Sequence, residues 1–145
     1  MATTKTYGNL IIKAFNKEVD WDSDTIKVAL VSSSYTPAQD THDYWDDVVA
    51  NEVTGTGYTA GGATLGSKTL TYDAGTNVTK FDAADVSWTT STITARYAVI
   101  YDDTPGTNAT KPLIGYVDFG SDQSSSAGTF SVVWNAAGIF TTTAD

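Results

Sequence analysis

Apolar and polar residues alternate with a period of two along most of this chain, and with a helical period only near its start. The longest alternating run is Thr92-Ile-Thr-Ala-Arg-Tyr-Ala-Val-Ile-Tyr101, rich in β-branched and aromatic residues and free of Gly and Pro. An Asp-Asp-Thr-Pro-Gly turn signal closes it at Asp102–Gly106, so it predicts a strand of about ten residues. Leu113–Phe119 predicts a second strand, and no helix-length segment lies between the two to carry a parallel crossover. They are expected to pair antiparallel at the centre of a sheet. Ile93, Ala95, Tyr97, Val99 and Tyr101 form the alternate set expected to face the core, with Arg96 on the other face.

Near the start, Leu10, Ile11, Ala14 and Phe15 recur at helical spacing, which predicts a short amphipathic helix over Tyr7–Glu18 with that face on the sheet. Asp20–Asp24 predicts a turn, and Thr25–Val31 a strand. Ser32–Thr41 reads as a loop broken by Pro37, and Thr41–Val49 as a second short helical segment with acidic residues in its first turn. From Glu52 onward every segment reads as strand or turn. The strands are Glu52–Thr59, a hairpin of Ser67–Asp73 with Val78–Ala83, Asp85–Thr89, the central pair, Thr129–Trp134 and Gly138–Thr143. Ser121–Gly128 reads as a polar loop. Short strands at this spacing predict a mainly β, single-domain chain over residues 1–145. The expected form is an antiparallel β-sandwich or barrel, jelly-roll-like, with two short helical segments.

Composition narrows function more than fold. The chain has 17 acidic against 8 basic residues, a formal charge of -9, which disfavours binding to phosphate backbones. With no cysteine, disulfides, thiolate metal sites and cysteine nucleophiles are excluded. No apolar run reaches membrane-spanning length, and the N-terminus has no secretory h-region, so neither membrane nor export is expected.

Candidate chemistry is sparse. His42, flanked by Asp40 and Asp43, is the single histidine, and no Gly-x-Ser-x-Gly elbow accompanies it. Asp20-x-Asp22-x-Asp24 has the opening ligand spacing of a calcium loop. Thr25 and Val31 then stand where the turn glycine and the bidentate glutamate belong, so no metal is expected. Gly61–Lys68 approaches a phosphate loop, but Ser67-Lys68 is reversed and no helix follows. No catalytic residue and no cofactor is predicted. Of four tryptophans, Trp88 and Trp134 are expected in the core, while Trp21 and Trp45 lie in turn and helix contexts that suit an interface.

The runs Asp40–Val48, Asn51–Gly62, Thr94–Tyr101 and Pro112–Gly120, taken together, resemble a family of small structural proteins encoded in tailed-bacteriophage genomes. The resemblance spans nearly the whole chain. It implies a virion accessory protein of the capsid decoration, or cement, type. Such a protein is made in the host cytoplasm and sits on the capsid surface. The implied partner is the phage major capsid protein, the implied assembly a homo-oligomer with a trimer as first expectation, and no enzyme activity is implied. Tyr35, Pro37, Tyr44, Trp45 and Trp21 are the expected contact residues, because large rigid side chains dominate interface energies. The alternative is a tail or baseplate adhesin that stacks glycans on Trp21 and Trp45.

Overall fold

A computed structural model describes residues 2–145. The chain is mainly β, built of two antiparallel sheets. In order come β1 (Thr4–Thr6), α1 (Leu10–Phe15), β2 (Ile26–Val31), β3 (Ala63–Thr64), β4 (Thr69–Asp73), β5 (Val78–Asp82), β6 (Val86–Asp102), β7 (Leu113–Val132) and β8 (Phe140–Thr143). The larger sheet has the order β1-β7-β6-β2-β3 and the smaller β4-β5-β8.

The central pair is as expected but longer. Asp85–Thr89 and Thr92–Tyr101 fuse into the 17-residue β6. The polar stretch Ser121–Gly128, expected as a loop, is the middle of the 20-residue β7 and pairs with Ser91–Ala95. Its serines reach across the ribbon: Ser91 Oγ lies 2.7 Å from Ser125 Oγ, and Thr94 Oγ1 lies 2.8 Å from Ser124 Oγ. Cross-strand hydroxyl pairs of this kind hold strands together without apolar residues. By contrast, Glu52–Thr59 is no strand. It touches the sheet through single bridges, Val31 with Glu52 and Thr56 with Thr92. Gly55 lies against the backbone of Thr92, where a side chain would overlap the Thr92 carbonyl oxygen.

The expected inward face of β6 is divided. Val86, Trp88, Ile93, Ala95, Ala98 and Ile100 face one core, whereas Val99 and Tyr101 face a second on the opposite side of the sheet, with Tyr97 packed against it. Register shifts after Trp88, with one extra residue on β6, and after Ala95, with three extra on β7, break the ladder, and the buried alternation of β6 changes phase at each. Thr90, at φ 51°, marks the first, and Arg96, ion-paired to Asp118 at 2.8 Å, stands at the second. Tyr97 and Val99 therefore do not share a face with Ile93.

The first core lies between the two sheets. Trp21 meets the smaller sheet there edge-on, its ring centroid 5.7 Å from both Phe81 and Phe140. The second core lies on the far side of β2–β6–β7, roofed by the segment between β2 and β3. In that roof Trp45 stacks on Tyr101 at 4.2 Å and 8°. Tyr7, Tyr35 and His42 form a hydrogen-bonded chain beside it, with the Tyr7 and Tyr35 hydroxyls 2.8 Å apart and Tyr35 2.9 Å from His42 Nδ1. The second helical segment is realised as two 3-10 turns, Trp45–Asp47 and Val49–Asn51.

Helix α1 is shorter than expected and turned differently. Leu10 and Lys13 point inward, while Ile11, Ala14 and Phe15 are exposed. The stripe predicted to pack on the sheet is thus mostly in solvent. Lys13 decides the rotation. Its ammonium sits 3.5 Å over the Tyr44 ring, 3.4 Å from Asp43 and 3.7 Å from Glu18, and Tyr44 donates its hydroxyl to Glu18 at 2.8 Å. Burial alone pulls the Lys13 pKa down, but Tyr44, Asp43 and Glu18 outweigh it and raise it, so the charge is kept. A buried cation with three partners fixes the helix more firmly than its own apolar stripe does.

Candidate functional site

The five expected contact residues do not form one exposed patch. Trp21, Tyr35 and Trp45 are buried, and Pro37 and Tyr44 are half-buried. Trp45 and Tyr35 close the second core, and burial pushes the Tyr35 hydroxyl up to about 12. Tyr44 is committed to Lys13 and Glu18. The expectation that Trp21, Tyr35 and Trp45 stand exposed for a partner is thereby corrected. Removing any of the buried three opens a core before it touches a surface. Trp88 and Trp134 are buried as expected. All four tryptophans are buried, and only Trp21 reaches a groove, at its base, so none offers a broad open face for a glycan.

What is exposed instead is a set of aliphatic and aromatic side chains on α1 and β4. Phe15 is 85% exposed, Ile12 60%, Tyr72 57%, Ile11 50% and Leu70 48%. Between these two elements runs a groove of about 720 Å³. It is lined by Ile11 and Ala14 of α1, by Leu70 and Phe81 of the small sheet, and at its base by Trp21 and Phe140. The small sheet forms the arm beside it, with β4 as its exposed edge strand. In β4 the alternation puts Leu70 and Tyr72 on the groove face and Thr69, Thr71 and Asp73 on the outer one. Trp21 Nε1 donates to the Thr69 carbonyl at 3.1 Å and ties the root of the arm to the body. Of these, the sequence pattern pointed to Ile11, Ala14 and Phe15 but as a packed face, because their spacing reads equally well as one.

The charged side chains are mostly committed elsewhere. Asp20 Oδ1 accepts from the backbone N–H groups of Asp22 and Ser23 at 3.1 Å, and Asp24 Oδ2 from that of Asp20 at 2.8 Å. The calcium-like triplet is therefore a self-capped turn. Among the described residues no group of three His, Asp or Glu side chains converges to hold a metal ion. Asp103 joins Lys27 at 2.8 Å and Lys111 at 2.7 Å. Next to it Asp102 is wholly buried. Its Oδ1 accepts from the Thr104 N–H at 2.9 Å, and its Oδ2 has no hydrogen-bond partner in the protein. Burial, reinforced by nearby Asp24, pushes the Asp102 carboxyl up to about 7.

No helix among the described residues is long and apolar enough to cross a membrane. Comparison with protein-family models, curated proteins and solved structures finds no match to this chain.

Proposed function

We propose that this chain is a bacteriophage virion structural protein, a capsid decoration protein that binds and stabilises the head shell from its outer surface. One observation supports a binding role above others. Five of the six large exposed apolar side chains among the described residues lie on α1 and β4, the elements that flank one groove, and Ile11 and Leu70 line it. Patches of that kind on a soluble domain mark contact sites. The assignment to a phage head comes from the resemblance, as does the homo-oligomeric state with a trimer as its implied form. The contact residues under this reading are Ile11, Ile12 and Phe15, in place of the aromatic residues of the roof. The adhesin alternative loses the stacking residues it relied on, because Trp21 and Trp45 are core.

The test is sedimentation of purified protein with emptied heads of the encoding phage. Saturable binding at micromolar concentration is expected. Phe15→Ala should weaken it by about 2 kcal/mol, roughly thirtyfold, with an unchanged melting temperature. Absence of binding at about 100 μM would remove the decoration reading.

A further inference from the structure

The arm carries an edge that natural sheets ordinarily guard. β4 ends the small sheet, so its outer side presents backbone N–H and C=O groups to solvent, the Thr69 carbonyl excepted, which accepts from Trp21 Nε1. The usual guards are a proline, an inward or edge lysine, or a bulge. Thr69-Leu70-Thr71-Tyr72-Asp73 has none of these, and its register with β5 runs unbroken from Thr69–Asp82 to Asp73–Val78. All five residues are exposed. The edge is therefore straight, accessible and apolar on one face.

We infer that two copies of this chain pair edge to edge through β4, antiparallel, joining their small sheets into one. The strand is complementary to itself. A two-fold axis at Thr71 sets Leu70 of each copy opposite Tyr72 of the other, and Thr69 opposite Asp73. Apolar meets apolar on the groove face, and no like charges stand opposed. A slip of one residue flips the faces, a slip of two leaves only three of the five residues paired, and a slip that centres the axis on Asp73 sets carboxylate against carboxylate, so the register centred on Thr71 is favoured. The formal charge of -9 does not forbid the contact, since Asp73 is the only charge on the strand and more distant charges are screened beyond about 8 Å at physiological salt. The pairing uses both edges and closes at two copies. It is independent of shell binding and of any three-fold contact made on a head.

The absence of cysteine allows a clean test. Opposed residues in an antiparallel pair have Cα atoms about 4.5–5.5 Å apart, within disulfide range. Thr71→Cys should give a disulfide-linked dimer under mild oxidation, several-fold faster than Ser126→Cys, an exposed control on β7. Sedimentation equilibrium of the unmodified protein should show a dimer at about 100 μM. Leu70→Lys with Tyr72→Lys should return it to monomer with an unchanged circular dichroism spectrum. If that double variant does not fold, the Thr71→Cys comparison still decides. Equal cross-linking rates at the two positions overturn the inference, as does a monomer at every concentration or a dimer indifferent to the lysines.

Discussion

Asp102→Asn should stabilise this protein at neutral and alkaline pH. Asp102 ends β6 with its side chain wholly out of solvent, one carboxylate oxygen held by the Thr104 N–H and the other without a partner. Burial raises the carboxyl from its ordinary 3.8 to about 7, with Asp24 adding to the shift. A carboxyl raised in the folded state favours folding fully below pH 3.8, and that contribution is lost as pH climbs through about 7. Three pH units of displacement at 1.36 kcal/mol each put the loss on the order of 4 kcal/mol. Asparagine keeps the oxygen that accepts from Thr104 and carries no charge at any pH. Its amide can also donate towards Asp24.

Urea unfolding followed by tryptophan fluorescence, from pH 4.5 to pH 8.5, is the assay, and the informative quantity is variant minus parent. Other carboxylates act in the opposite sense. Asp20 is held low by the Ser23 N–H, Asp73 by the Gly75 N–H and Asp118 by Arg96, so their contribution is present above their ordinary pKa and is lost only in acid. They are common to both proteins and cancel in the difference. The variant should gain about 2–4 kcal/mol at pH 8 and roughly a quarter of that at pH 4.5. A flat difference across that range, or a loss at pH 8, would show that Asp102 is ionised and compensated in the folded protein.

Two further substitutions test the packing. Trp45→Ala removes the ring stacked on Tyr101 and should cost roughly 3–5 kcal/mol in chemical unfolding; an unchanged midpoint would return Trp45 to the surface. Gly62→Ala should cost on the order of 3 kcal/mol or prevent folding, because Gly62 has φ 79° and an added methyl overlaps the Val28 carbonyl oxygen; a tolerant protein would show that the turn beside β3 shifts freely.

Strand identity was legible where alternation was carried by apolar residues, as in β2 and the first half of β7. It was not legible in Ser121–Gly128, where every residue is small or polar. The strand there is held by backbone pairing to β6 and by hydroxyl contacts such as Ser91–Ser125, neither of which leaves an apolar period. Face assignment failed on β6 for a different reason. One bulge keeps every core residue apolar, so a reader of Ile93, Ala95, Tyr97 and Val99 sees one face where the chain makes two. Helix α1 was found, but its rotation was set by Asp43 and Tyr44, about thirty residues away. A local window contains no trace of that partnership.

The division into two cores bears on how the protein can bind. The larger sheet is covered on both sides across β2 and the paired ends of β6 and β7, so two cores must be filled by a chain of 145 residues. The large aromatic residues fill them, with Trp21 and Trp88 in one core and Tyr7, Tyr35, Trp45 and Tyr101 in the other. What remains for contact is the aliphatic face of α1, one phenylalanine, and the Leu70–Tyr72 face of an unguarded edge strand. A surface with Phe15 as the one ring on α1 gains less per copy than one with several such anchors, because the strongest interface contributions come from rigid rings seated in pockets. Repetition compensates for that weakness. Two linked copies that engage a repeating lattice convert the second contact into an intramolecular one, and overall affinity rises by orders of magnitude with no new contact. On the proposed reading, self-pairing through β4 is therefore the step that makes a modest α1 surface sufficient. The two can be separated by experiment: Leu70→Lys with Tyr72→Lys should leave single-copy binding intact while lowering avidity for the shell about a hundredfold.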